Sequence, residues 1–312
     1  DLIIQEDMVV TVSHNGYIKR NPISLYRSQR RGGKGVTGMT TRQEDFVEHL
    51  FVASTHSHIL FFTSTGKVFW QKVYELPQAG RAAMGKAIVN LLNLSPDEGL
   101  AAILAVREFV EGKYIVMATR KGLIKKTPLM AYSRPRAGGI IALSIDADDE
   151  LIAARVTDGS QDILLGSREG KAIRFKETEV RPMGRTARGV RGMTVGKDDV
   201  IIGMEAIGEG ATILTVTENG YGKRTNTGEY RIQGRGGMGI ITIKTTERNG
   251  NVVGMKEVAD DDEVMLITDQ GTIIRMKIKG ISVIGRNTQG VRLINVEKGE
   301  KVVGVAHLAE ED

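Results

Sequence analysis

Two series of glycines run through the chain with one period. The first stands at Gly16, Gly66, Gly122, Gly170, Gly220 and Gly271, at intervals of 50, 56, 48, 50 and 51 residues. The second stands at Gly35, Gly85, Gly139, Gly189, Gly239 and Gly290, at intervals of 50, 54, 50, 50 and 51. Within a unit the two glycines are 19 residues apart, or 17 in the third. Two independent landmarks that keep one period through six units restrict the chain to a repeat architecture. In such folds one small unit is stacked until its apolar faces are covered.

Each unit reads as β. The first glycine of a unit lies in a turn between two strand-like runs: 8–13 with 17–19, 59–63 with 68–70, and 114–118 with 123–125. The same holds for 163–165 with 172–175, 213–217 with 221–224, and 264–268 with 272–276. Asn15-Gly16 and Asn219-Gly220 are asparagine–glycine hairpin signals. A third strand follows the second glycine, as at 140–145, 240–243 and 291–296. A fourth follows an acidic or polar turn, at 50–53, 100–106, 151–156, 200–206 and 252–258. Four strands per unit and six units predict an all-β, propeller-like ring of four-stranded blades. The chain finishes on a strand at 301–308, which is expected to complete the first blade and remove the open edges of the ring. No stretch has sustained helical periodicity, so little or no helix is expected.

Composition agrees with one domain of six repeats over residues 1–312. A hydrophobic fraction of 41% supports a core, and 38 glycines suit short strands and tight turns. No run approaches a membrane span, and no basic-then-apolar leader opens the chain. A first residue of Asp1 suggests a piece of a longer polypeptide. The absence of cysteine excludes disulfides and thiolate metal sites, and fits a reducing compartment.

The net charge of +5 is modest, so its distribution matters more than its size. Residues 13–43 hold seven Lys or Arg and no acid, and so do residues 112–145. Residues 181–197 and 270–296 each hold five and none. The acids collect in the other half of each unit, as at Glu44-Asp45, Asp146 to Glu150, Asp198-Asp199 and Asp260 to Glu263. In a ring, equivalent positions share radius and height, so a stripe repeated in sequence becomes a circular stripe. The basic stripe is expected to follow one track, with the acidic turns elsewhere. The stripe is densest at Gln29-Arg30-Arg31-Gly32-Gly33-Lys34-Gly35, where a glycine-rich main chain can lie close to a polyanion while arginines supply forked donors.

The polyanion that fits a circular track is double-stranded DNA bent around the rim. Duplex DNA carries about one charge per 1.7 Å, so neutralisation releases counterions and makes binding steeply salt-dependent. Curling roughly 40 bp through half a turn costs on the order of 10 kcal/mol, which needs contacts on several blades. Phosphate contacts position DNA without reading bases, so weak sequence preference is expected. Candidate supplementary contacts are Lys19, Arg20, Arg81, Lys86, Arg136, Arg185, Arg188, Arg191, Arg235 and Arg286.

The heptad Gln29 to Gly35 resembles the signature box of the DNA gyrase A C-terminal domain family, and Gly16-Tyr17-Ile18-Lys19-Arg20 is similar to that family's first hairpin. The likeness covers essentially the whole chain. It implies a six-bladed β-pinwheel, in which neighbouring blades exchange a hairpin. It implies that the domain wraps DNA with positive handedness around its rim and presents a segment to the breakage–reunion domain of the same polypeptide. Strand passage driven by ATP on a separate ATPase subunit would then introduce negative supercoils. It also implies that loss of Gln29 to Gly35 abolishes wrapping, that catalytic residues, ATP and Mg belong to other parts of the enzyme, and that the setting is cytoplasmic and nucleoid-associated. The isolated domain is expected to be monomeric. Later copies depart from the box: Gly80-Arg81-Ala82-Ala83-Met84-Gly85 keeps one arginine, Arg134-Pro135-Arg136-Ala137-Gly138-Gly139 is shorter, and Gln233-Gly234-Arg235-Gly236-Gly237-Met238-Gly239 is nearest to it.

Other signals are weaker. Gly234, Gly236 and Gly239 match a dinucleotide fingerprint, but a strand follows where that site needs a helix. Asp146, Asp148 and Asp149, and Asp260 to Asp262, are read as solvated turns rather than metal sites, and His56 and His58 as exposed histidines. Tyr26, Tyr132 and Tyr230 stand 10 residues after their turn glycine, where other units have Leu76, Val180 and Ile281, so they are read as packing residues. The competing functions are the equivalent domain of topoisomerase IV and a propeller used as a protein-interaction scaffold. A propeller hydrolase would need a polar funnel that the sequence does not assemble.

Overall fold

The computed structural model describes residues 2–13, 15–22, 47–80, 83–208 and 212–308. The chain forms a ring of six antiparallel sheets, five with four strands and the sixth with three among the described residues. The inner strands are Val47–Ser54, Leu100–Val106, Leu151–Thr157, Ile201–Ile207, Val252–Val258 and Val302–Leu308. Each pairs with the first strand of its hairpin: Asp7–Ser13, His58–Thr63, Tyr114–Thr119, Asp162–Ser167, Thr212–Thr217 and Glu263–Thr268. Outside lie the second hairpin strands, Tyr17–Pro22, Lys67–Lys72, Leu123–Pro128, Lys171–Lys176, Tyr221–Asn226 and Ile273–Lys277.

The outermost strand of each four-stranded blade is only two residues long and comes from the following unit. Lys86–Ala87 pairs with the first blade, Ile140–Ile141 with the second and Val190–Arg191 with the third. Ile240–Ile241 and Val291–Arg292 serve the fourth and fifth. Each unit therefore reaches back one blade before returning to the hub. The third strands are thus much shorter than the sequence suggested, because Ala142, Leu143 and their equivalents leave the ladder to enter the core.

The expectation for the last strand is corrected. Val302–Leu308 pairs with Glu263–Thr268 in its own, sixth blade, because the first blade already has an inner strand of its own in Val47–Ser54. The ring closes by packing: Val9 and Leu50 of the first blade bury against Met265, Ile267 and Ala306 of the sixth. Every other interface has its own apolar core. Ile59 and Phe61 meet Val10 and Met8 between blades one and two, and Phe62 and Trp70 meet Met117 and Leu129 between two and three. The fold is therefore six inter-blade cores with no common centre.

Both glycine series lie where that backward reach is made. The hairpins have three-residue turns, in which the last residue, such as Gly16 or Gly66, has positive φ and donates to the residue three before it. This differs from the two-residue turn that Asn-Gly suggested. A Cβ on Gly66 would also stand 2.5 Å from the carbonyl oxygen of Leu143, and one on Gly85 2.2 Å from that of Ile18. Among the described residues, helix is confined to one turn at Ile88–Leu92 and short 3-10 turns.

Candidate nucleic-acid interface

The basic loops of units two to six connect the second hairpin strand of one blade to the outermost strand of the blade before it, so they run along the outer rim. The box residues Gln29, Arg30, Arg31, Gly32, Gly33, Lys34 and Gly35, together with Tyr26 and Arg81, lie outside the described residues. Lys86, Arg136 and Arg191 are exposed, and their side chains have no hydrogen-bond or ion-pair partner among the described residues. Arg134, Arg181 and Arg231, which sequence reasoning left out, are exposed on the same segments in the same state.

Three arginines tie neighbouring loops together. Arg185 donates to the carbonyl of Ile141 at 3.2 Å, Arg235 to that of Arg191 at 2.6 Å, and Arg286 to that of Ile241 at 2.8 Å. Each crosses from one rim loop to the outermost strand of the preceding unit, and each remains half-buried. They hold the track in shape as well as carrying charge.

Two expected contacts are corrected. Lys19 is fully buried, with its ammonium donating to the carbonyls of Gly80 and Ala83 at 3.0 and 2.9 Å. Arg20 turns its Nε to the carbonyl of Leu76, 2.8 Å away in the next unit. The position four residues after the turn glycine makes a cross-blade bond repeatedly: Trp70 Nε1 to the carbonyl of Tyr132 at 2.9 Å, Lys126 to that of Glu177 at 3.1 Å, Arg224 Nε to that of Ile281 at 2.9 Å. Both positions thus spend their donors on the backbone of the neighbouring unit rather than on a ligand.

The acidic turns are not wholly apart from the basic track. Asp148 pairs with Lys121 and Glu150 with Arg120 at 2.9 Å, both on a hairpin turn. Asp146, however, reaches the rim and binds Arg188 at 2.8 and 2.6 Å, and this pairing holds its carboxyl below the usual carboxylate range. Asp260 likewise meets Arg224, at 2.5 Å.

His56 and His58 are half-buried rather than exposed. His56 meets the carbonyl of Ile3 at 2.9 Å, and His58 packs its ring edge-on to Phe109 at 5.3 Å. Burial, with Lys72 nearby, pushes the His58 pKa down. Tyr132 and Tyr230 are buried packing residues, like Leu76, Val180 and Ile281 at the same position.

Sequence reasoning missed a second basic cluster. The phenol oxygen of Tyr221 accepts from Arg292 at 2.7 Å and from Arg248 at 3.2 Å. Both guanidinium carbons stand 5.2 Å from the ring centroid. These donors pull the phenol's pKa below its ordinary value. Arg292 lies two residues after the loop glycine, as Arg191 does, and that equivalence was the available signal.

A family model described as the DNA gyrase C-terminal domain, β-propeller, matches residues 7–54, 57–107, 113–158, 161–207, 211–259 and 262–308, one segment per unit. The chain belongs to this family. The DNA gyrase A-subunit of Salmonella typhimurium is 53% identical over 311 residues, covering 99% of this chain and 35% of that protein. Its Escherichia coli K12 counterpart is 50% identical over 310 residues, with the same coverage. The chain thus spans about a third of the length of these relatives. A solved gyrase A C-terminal domain superimposes with a TM-score of 0.85 at 24% identity, covering 97% of this chain and 100% of that one. The C-terminal domain of a DNA topoisomerase IV superimposes with a TM-score of 0.78 at 25% identity, covering 98% and 94%. Among the described residues, no helix of this gyrase-family domain is long and apolar enough to cross a membrane.

Proposed function

We propose that this domain binds double-stranded DNA with little sequence preference and wraps it with positive handedness around its rim. The observation that carries the reading is the run of cations, Lys86, Arg136 and Arg191, whose side chains have no partner among the described residues, along the outermost strands and loops of successive blades. Charges so placed can follow a bent duplex, and their phosphate contacts together can offset the cost of bending. The domain then presents a DNA segment to the breakage–reunion domain of its own polypeptide, and the gyrase assembly uses ATP and Mg on other parts to introduce negative supercoils. In this reading the domain is a cytoplasmic, nucleoid-associated module, monomeric when isolated. It supplies no catalytic residue, and its partners are DNA, the breakage–reunion domain and the ATPase subunit. Gln29, Arg30, Arg31, Gly32, Gly33, Lys34 and Gly35 initiate the wrap.

The test is ligation of a nicked DNA circle in the presence of the domain, followed by removal of protein and measurement of linking number. A positive shift that disappears when Arg30, Arg31 and Lys34 become alanine supports the reading. Tight binding with no shift removes the wrapping step and favours the topoisomerase IV reading, which the structural likeness to that enzyme's domain also raises.

A further inference from the structure

A two-unit rhythm lies beneath the repeat of about fifty residues. Three residues after the turn glycine, units one, three and five carry Lys19, Lys125 and Lys223, whereas units two, four and six carry Phe69, Ile173 and Ile274. Seven residues further on the rhythm recurs, with Tyr26, Tyr132 and Tyr230 against Leu76, Val180 and Ile281. All three lysines are fully buried.

A buried ammonium is costly unless its protons are used. Here they go mainly to the backbone of the following unit's basic loop, with Ala142 of Lys125's own unit and the Thr288 hydroxyl as further acceptors. Lys223 donates to the carbonyls of Gly285 and Arg286 at 2.7 and 2.5 Å and to the Thr288 hydroxyl at 3.0 Å. Lys125 donates to the carbonyls of Arg185 and Ala142 at 2.5 and 2.7 Å. Lys19 holds the loop of the second unit through Gly80 and Ala83, as described above. All three loops spell Gly-Arg-x-x-x-Gly, at 80–85, 184–189 and 285–290, a spelling that the loop of unit five at 234–239 shares. On these loops Arg188 is exposed, and Arg185 and Arg286 reach the preceding unit, as Arg235 also does from the loop of unit five. The loops of units three and five rest instead on apolar seats: a Cβ on Gly139 would stand 2.8 Å from the Phe69 ring. The fold accepts an apolar residue at this position in every second blade. Packing alone therefore does not account for a charge kept there three times.

We propose that Lys19, Lys125 and Lys223 are positioning residues for DNA binding, each holding the next unit's basic loop by its carbonyls so that the loop offers its outward groups to duplex phosphates. The ring then engages DNA in three two-blade steps. This rests on the DNA-wrapping reading above. The charged group facing Lys125 is Arg185, and the Tyr132 phenol shares the Ala142 carbonyl with it; those facing Lys223 are Arg286 and Glu229. Burial, helped by the arginine in each case, pulls Lys125 to about 7 and Lys223 to about 8. Surface lysines titrate near ~10.4, so between pH 6.5 and 9 these two seats lose charge while the rim keeps its own.

The experiment measures affinity for a mixed-sequence duplex against salt, for the 312-residue chain and a Lys125→Met, Lys223→Met double variant. Ile173→Met is the control. The expected result is a thermal midpoint close to the parent's, with a slope of log affinity against log salt shallower by about 2, roughly one phosphate per released loop. The control should keep the parent's slope. A folded double variant with the parent's slope and affinity overturns the proposal. If the variant does not fold, the parent's own slope at pH 6.5 and pH 9 decides: shallowing supports the seats, and no change overturns them. A parent with no salt-dependent DNA binding at all overturns the wrapping reading itself, a result separable from failure of the seats alone.

Discussion

Asp146 grips Arg188 through two nitrogens, at 2.8 and 2.6 Å, and so places a carboxylate directly on a rim guanidinium. The two residues come from successive units, on an acidic turn and a basic loop. Phosphate and Asp146 compete for the same guanidinium. Asp146→Asn should therefore strengthen DNA binding severalfold at low salt and steepen the salt slope by about 1. Titration of a labelled duplex at several salt concentrations measures both, and unchanged or weaker binding would show that Arg188 does not face the DNA.

Tyr221 reports a second concentration of charge. Two guanidiniums converge on its phenol oxygen, and no carboxylate pairs with either among the described residues. Ultraviolet titration should detect a phenol that ionises below ~10, the ordinary value. Arg292→Ala should move that transition upward, and Tyr221→Phe should remove it. The same Arg292→Ala change should shorten the salt slope of DNA binding by about 1 if the cluster meets a phosphate.

Much of this architecture is legible in the sequence because glycine marks close backbone approaches. Gly66 and Gly85 stand where a neighbouring unit's carbonyl leaves no room for a side chain, so the period is written in residues that packing requires. The inner strands and hairpins follow from apolar runs between those glycines. Strand ownership is not written there: that Lys86–Ala87 belongs to the first blade, and Val302–Leu308 to the sixth, depends on which edge a short segment reaches. The site was read less well. Charge counts do not distinguish a solvated arginine from Arg20, whose donors turn to the backbone of the next blade. The alternation of Lys125 with Phe69 and Ile173 was present in the sequence, but it becomes meaningful only once the loop carbonyls around the ammonium are seen.

Stability should rise with pH over a defined window. In the folded ring the pKa of Lys125 is lowered to about 7 and that of Lys223 to about 8, chiefly by burial. An unfolded lysine titrates near ~10.4. Between these values the unfolded chain holds protons that the folded one has released, so raising the pH favours the fold. Below pH ~7 both states are protonated and these two groups contribute no slope. Urea midpoints at pH 6.5, 8 and 9.5 should increase in that order, and the Lys125→Met, Lys223→Met variant should flatten the increase. A midpoint that falls over this range in the parent, with no difference in the variant, would place the ammonium groups in contact with water.

Glu177 tests how firmly neighbouring blades are stapled. It is fully buried at the junction of the third and fourth blades. One carboxylate oxygen accepts from the Thr157 hydroxyl at 2.7 Å, and the other from the backbone N–H of Gln161 at 2.7 Å. Lys126 stands 3.9 Å from the carboxylate and donates to the Glu177 carbonyl at 3.1 Å. Removing the side chain leaves the buried Lys126 ammonium without its counter-charge, and a hydroxyl and an amide without their acceptor. Glu177→Ala should accordingly cost about 3–5 kcal/mol, the range for breaking one side of a buried pair. Glu177→Gln keeps an acceptor for one neighbour and should cost about 1–3 kcal/mol. Chemical denaturation of the two variants gives both values. A loss below ~1 kcal/mol in Glu177→Ala would mean that water replaces the carboxylate, and that the apolar contacts of Val116 and Phe175 hold this junction without it.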